Sequence, residues 1–159
     1  MRGPLIFLDV DGPLIPFRAR PTQRRHRAAD ATGNPLLERL DPADGHRLLE
    51  LGAELVWATT WMAEANEIIA PRLGLPPLPV VDFPDTEEDP QNGLHWKTKA
   101  LIRWATGRPF AWLDDEPTDI DRQWTKANHP QPALIHRVDP TTGLTEADFT
   151  AIRLWLADL

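Results

Sequence analysis

Two kinds of pattern alternate along this chain. Short apolar runs occur at 5–8 (Leu5, Ile6, Phe7, Leu8), 53–58, 79–83, 110–113 and 133–138. Runs of that length predict buried strands of a parallel sheet, whose two faces are both covered. Between them lie segments with helical spacing. Asp41 followed by Pro42 is an N-cap with proline at the first helical position, Leu48, Leu49 and Leu51 make the apolar stripe, and Gly52 is the stop. Further helices are predicted at 62–73, closed by Gly74, and at 95–104, 119–127 and 145–159. Strands that alternate with helices imply an α/β fold: three layers, with a parallel sheet of about five strands and helices on both faces. Two stretches break the pattern. Residues 16–35 carry Arg18, Arg20, Arg24, Arg25, His26 and Arg27 among turn formers, which predicts a basic loop or flap. Residues 84–93 are acidic and turn-rich, which predicts a solvated loop.

Composition narrows the picture. The chain has 159 residues, enough for one domain with a real core and no room for a second, so 1–159 is expected to be a single domain. A net charge of -7 argues against a general nucleic-acid coat protein but leaves room for a local basic patch. With no cysteine, neither a disulfide scaffold nor a thiolate zinc site can form. His46, His95, His129 and His136 show no ligand spacing, so zinc is not expected. The N-terminus does not read as a signal peptide and no apolar run reaches membrane-spanning length, so the expectation is a soluble cytoplasmic protein without membrane contact or an evident stable partner.

The candidate chemistry collects at strand ends, where ligands bind in open α/β sheets. The first apolar run leads into Asp9, Asp11 and Gly12. If the backbone turns after Asp9, both carboxylates can converge on one point, and such a pair is costly to bury unless a cation sits between them. Alone, the stretch could equally be a strand followed by an Asx turn. The second run ends in Thr59 and Thr60, which alone would be helix caps. Lys97 and Lys99 would be surface residues of a helix, and Asp114 and Asp115 could cap the helix beyond Pro117. Together and in this order they suit phosphoryl transfer to a carboxylate nucleophile. Carboxylates from two strand ends can hold a hard cation such as Mg²⁺. A threonine hydroxyl can donate to a phosphoryl oxygen, and an ammonium can offset charge in the transition state.

The chain resembles phosphatases of the haloacid dehalogenase (HAD) superfamily, which share a Rossmann-like sheet. The resemblance rests on Asp9-Val-Asp11-Gly12, on Leu55-Val-Trp-Ala-Thr59, on a lysine before the fourth strand and on Trp112-Leu-Asp114-Asp115, and it spans residues 5–119. It implies Asp9 as nucleophile and metal ligand. Asp11 would be the acid/base and would bind Mg²⁺ through its backbone carbonyl. Thr59 would bind phosphate, Lys97 would neutralise charge, and Asp114 would ligate the metal with Asp115 adjoining. Gly12 and Thr60 join the substrate-binding set, with Arg24 and Arg25 from the basic loop. Pro13 departs from the family's usual Thr or Val, Thr60 competes with Thr59, and Lys99 competes with Lys97. The gaps between motifs leave no room for a substantial cap, which implies an open site and a phosphate on a nucleotide, a nucleic-acid end or a phosphoprotein. Trp57-Ala-Thr-Thr-Trp61 and Trp112-Leu-Asp-Asp-Glu116 resemble most a HAD group associated with RNA-repair proteins, while Asp114-Asp-Glu-Pro117 is similar to a segment of capless protein phosphatases. Trp57, Trp104, Trp112 and Trp155 are expected in the core. Trp61 and Trp96 flank the rim, where core packing is favoured over substrate contact. Other readings are a phosphoacceptor signalling domain, whose motif order differs, a catalytically silent phosphate-binding module, and a phosphotransferase.

Overall fold

Residues 3–18, 35–83 and 93–159 are described in a computed structural model of the chain. Four parallel strands form one sheet: β1 (Leu5–Leu8), β2 (Glu54–Trp57), β3 (Phe110–Asp114) and β4 (Ala133–Arg137), in the order β2-β1-β3-β4. Side chains alternate between its faces, as the two-residue period requires. Ile6, Leu8, Leu55, Trp57, Ala111 and Leu113 point into one core, and Leu5, Phe7, Val56, Phe110, Trp112 and Ile135 into the other. The first face is covered by α1 (Pro42–Glu50), α2 (Ala70–Leu73) and α5 (Glu146–Ala157). The second is covered by α3 (Thr98–Ala105), with α4 (Asp119–Asn128) packed beside it and against β4. The result is the expected three-layer α/β architecture.

The sheet has four strands among the described residues, not about five. The stretch expected as a third strand makes only one bridge, Val80 to Trp57, flanked by Trp57 N–H to Pro79 O and Val81 N–H to Trp57 O, both 2.9 Å. Pro76, Pro77 and Pro79 have no N–H to give a ladder, so the segment lies along β2 without extending the sheet. The helix expected at 62–73 is also altered. It begins as turns, widens into a π-helical stretch at Ala65–Ile69 and becomes regular only in α2. Pro71 cannot donate to the carbonyl four residues back, and a widened turn accommodates that loss. Within the π stretch, Asn66 accepts from Trp57 Nε1 and Leu78 N and donates to Leu78 O, each at 2.8 Å. That residue pins the irregular segment to the sheet.

Helix starts follow their caps. Asp41 accepts from Ala43 N at 3.0 Å ahead of α1. Thr118 opens α4, with Asp121 accepting from the Thr118 N–H at 2.8 Å. No helix of the described residues is long and apolar enough to cross a membrane.

Glycine in the middle of α1 looks like a weakness, since alanine is favoured there by about 1 kcal/mol on propensity alone. Gly45, however, lies against the Leu73 backbone carbonyl, and an added Cβ would also come 2.8 Å from Leu73 Cβ. Overpacking of that kind costs about 1–3 kcal/mol. Gly45→Ala should therefore lower the unfolding free energy in urea, and an unchanged or raised midpoint would show that the two helices separate freely.

Candidate active site

The order β2-β1-β3-β4 sends the chain from β1 to one side first and later to the other, so the carboxyl ends of β1 and β3 face a topological switch point. Leu8 pairs with both Trp57 and Leu113. One residue further, Asp9 N–H bonds to Leu113 O at 3.1 Å, and Ala58 N–H bonds to Leu8 O at 2.7 Å. Asp9 is thereby level with Ala58 and Asp114. By the two-residue alternation Asp9 follows Phe7, and Asp114 follows Trp112, onto the face covered by α3.

Lys97 immediately precedes α3 and reaches down onto those strand ends. Its Nζ lies 3.2 Å from Asp9 Oδ1, 2.9 Å from Asp114 Oδ2 and 2.9 Å from Ala58 O. Three N–H donors meet three acceptors. Lys97 is only 2% exposed and is the one buried Lys or Arg among the described residues. Lys99 is exposed, with its Nζ 6.0 Å over the Trp124 ring. The structure thus brings Lys97 to the acidic strand ends and directs Lys99 toward α4.

Asp114 is fully buried, and both its oxygens are engaged. Oδ2 accepts from Lys97 and from Trp112 Nε1 at 3.1 Å, and Oδ1 accepts from the N–H groups of Asp115 (2.8 Å) and Glu116 (3.2 Å). Asp115 is half-buried against Gly12, whose φ is +102°, and a Cβ at Gly12 would lie 2.9 Å from Asp115 Cγ. Glycine at that position therefore supplies both the turn and the space for a carboxylate. Oxygens of Asp9, Asp114 and Asp115 gather within 4.8 Å of one another.

Asp11 does not join that cluster. Its side chain is exposed, and Oδ2 accepts from Trp61 Nε1 at 3.1 Å. Thr59 is buried at the end of β2 with its hydroxyl accepting from Trp61 N–H at 3.2 Å, while Thr60 is exposed. Arg24 and Arg25 lie outside the described residues.

Several participants were not anticipated. Trp61 holds Asp11, and Trp112 holds Asp114 from two residues back on the same face, a relation that strand alternation makes predictable. His95 accepts from Lys97 N–H through Nδ1 at 3.1 Å, while its own N–H bonds to Asp121 at 2.7 Å. These two bonds fix the entry to α3 and hence the Lys97 backbone. Trp96 is 43% exposed, contrary to the expected core placement.

The electrostatics follow from two or three acids sharing one ammonium. Burial raises the Asp9 carboxyl well above its usual range, and the Asp114 charge adds to it, while Lys97 pulls the other way. For Asp114 burial acts in the same upward direction but is outweighed by Lys97 and the backbone N–H groups, so its pKa is lowered. Burial alone would lower Lys97, but Asp9 and Asp114 together hold it above the usual lysine value. Asp115 is pushed up to about 6, first by burial and then by its hydrogen bond to Asp114 and that group's charge. A cluster of oxygen donors carrying more negative charge than Lys97 offsets fits a small divalent cation.

The chain belongs to the haloacid dehalogenase superfamily: the model of the family described as "HAD domain in Swiss Army Knife RNA repair proteins" matches residues 5–149. Neither curated proteins nor solved structures give a match to it.

The raised Asp115 value has a definite sign. From about pH 4 to 6 the folded chain holds a proton that the unfolded chain, with its ordinary carboxyl, has released, so stability falls as pH rises through this window. With divalent cations chelated, Asp115→Asn should gain stability relative to the natural chain between pH 4 and pH 7. Parallel stability curves for the two proteins would rule out the crowding of acids described here.

Proposed function

We propose that the chain is a Mg²⁺-dependent phosphomonoesterase working through an aspartyl phosphate on Asp9. The observation that carries this reading is the Lys97 ammonium bridging Asp9 and Asp114 at the carboxyl ends of β1 and β3. A phosphatase of this kind needs a carboxylate nucleophile beside fixed positive charge at a rim open to substrate. Membership in the HAD superfamily supports phosphoryl-transfer chemistry of that type.

In this reading Asp9 attacks phosphorus, and the bond to the ester oxygen breaks as Asp11 gives that oxygen a proton. Asp11, now ionised, takes a proton from water, whose oxygen displaces Asp9 and releases inorganic phosphate. Trp61 Nε1 holds the Asp11 carboxylate toward the rim for both transfers. The Thr59 hydroxyl accepts the Trp61 N–H, which leaves its own hydrogen for a phosphoryl oxygen. Lys97 stays fixed between Asp9 and Asp114 and offsets the charge that develops on the phosphoryl group.

The cation would be held by Asp9 and Asp115, with the Asp11 carbonyl, and with Asp114 contributing chiefly by anchoring Lys97, since its four hydrogen bonds leave it little free acceptor capacity. When bound, Mg²⁺ supplies charge that screens the phosphate from the nucleophile. The substrate in this reading is an accessible phosphate on a nucleotide or macromolecule, a choice in keeping with a family described from RNA repair proteins. Arg24 and Arg25 remain candidate contacts for such a polyanion on sequence grounds.

Hydrolysis of p-nitrophenyl phosphate with and without Mg²⁺, after EDTA treatment, tests this directly. Turnover should require the metal, and Asp9→Asn should fall below about one-thousandth of the natural rate while keeping its circular dichroism spectrum. A folded Asp9→Asn variant that still turns over would remove Asp9 as nucleophile, and a chain inert toward every phosphoester would leave only phosphate binding.

A further inference from the structure

We propose that Trp96 is a stacking shelf for a nucleobase carried by the phosphorylated substrate, an inference that rests on the phosphomonoesterase reading. Trp96 is the residue just before Lys97 and is 43% exposed, although it stands at a rim whose neighbouring aromatic, Trp112, is fully buried. Single exposed hydrophobics are ordinary on a protein surface, so what singles this indole out is its place beside Lys97 and the way it is held.

The ring is braced rather than loose. His95 stacks on it at 5.5 Å between centroids and 28° between planes, and Phe83 meets it edge-on at 4.9 Å and 73°. His95 is in turn edge-on to the buried Trp112 at 5.4 Å. The bonds from His95 N to Asp121 and from Lys97 N to His95 Nδ1 hold the backbone on both sides of Trp96. A ring held in this way loses little freedom when a second ring stacks on it, which is how aromatic platforms bind bases without regard to sequence.

The position selects among aromatic ligands. Lys97 Nζ lies 5.5 Å from the Trp96 ring centre and 3.2 Å from Asp9 Oδ1, so one ammonium is close to both shelf and nucleophile. An aryl phosphate carries its ring on the ester oxygen itself, directly beside the attacked phosphorus. A nucleotide carries its base one sugar ring away from the phosphate. Phosphoserine and phosphothreonine carry no ring at all.

The test compares a nucleoside 5′-monophosphate with ribose 5-phosphate, the same ester without its base, in the presence of Mg²⁺. The natural chain should favour the nucleotide in kcat/KM on the order of tenfold, mainly through KM, the effect of one stacked base. Trp96→Ala should bring the ratio of the two substrates close to one, and Trp96→Phe should keep most of the preference. Equal kcat/KM for both substrates in the natural chain, a preference that survives Trp96→Ala, or a stronger preference for phosphotyrosine peptides would each overturn the shelf. Calorimetric binding of the same two ligands to Asp9→Asn separates this inference from the catalytic reading. Base-dependent binding lost in the Asp9→Asn/Trp96→Ala double variant would uphold the shelf even in a chain without turnover. Equal binding of both ligands would dismiss it whatever the chain catalyses.

Discussion

Asp9 and Asp114 come from neighbouring strands and share a single buried ammonium, Lys97, and the rest of the site is arranged around that sharing. Each ion taken out of water costs roughly several kcal/mol, and only close pairing with additional hydrogen bonds offsets the loss. Lys97 supplies one positive charge and three donors, all used, while Trp112 and two backbone N–H groups complete the shell of Asp114. One positive charge against two buried carboxylates, with Asp115 close by, leaves a local excess of negative charge. Burial, with the charge of Asp114, raises Asp9, while Lys97 and the backbone N–H groups lower Asp114, and oxygens of Asp9, Asp114 and Asp115 gather within 4.8 Å at the rim.

The fold makes this arrangement cheap to position. Strand alternation alone carries Asp9 and Asp114 to the same face as Phe7 and Trp112, and the helix that covers that face begins just after Lys97. The more exposed groups, Asp11 and Asp115, are set instead by the turn at Gly12 and by Trp61. In the proposed reaction this division has a chemical logic: the ion-paired groups are buried and held, whereas Asp11, the proposed proton donor, is at the surface.

Much of this was legible in the residues because the relevant signals are local. Apolar runs ending in acids mark strand ends, and the Asp-x-Asp-Gly stretch announces its own turn. Other features depended on contacts between distant segments. The run at 79–83 has strand-like composition, yet Pro79 and the Pro76-Pro77 pair just before it have no N–H to give a ladder, and only a bridge at Val80 forms. Pro71 widens a helix whose apolar spacing looked regular. Lys97 and Lys99 are two residues apart, and only the direction in which α3 leaves the rim separates a buried ammonium from a surface one. Trp61 packs against the core as its type suggests and also donates to Asp11, whereas Trp96 stays exposed beside Lys97.

The central claim is that Asp9 becomes covalently phosphorylated during turnover. Rapid acid quenching of the chain mixed with Mg²⁺ and a phosphomonoester, followed by peptide mass spectrometry, measures this directly. The account predicts one phosphoryl group on the peptide containing Asp9, labile to hydroxylamine as an acyl phosphate must be, and absent from Asp9→Asn. Turnover without that adduct, or a phosphoryl group found on Thr59 or another side chain, would contradict it.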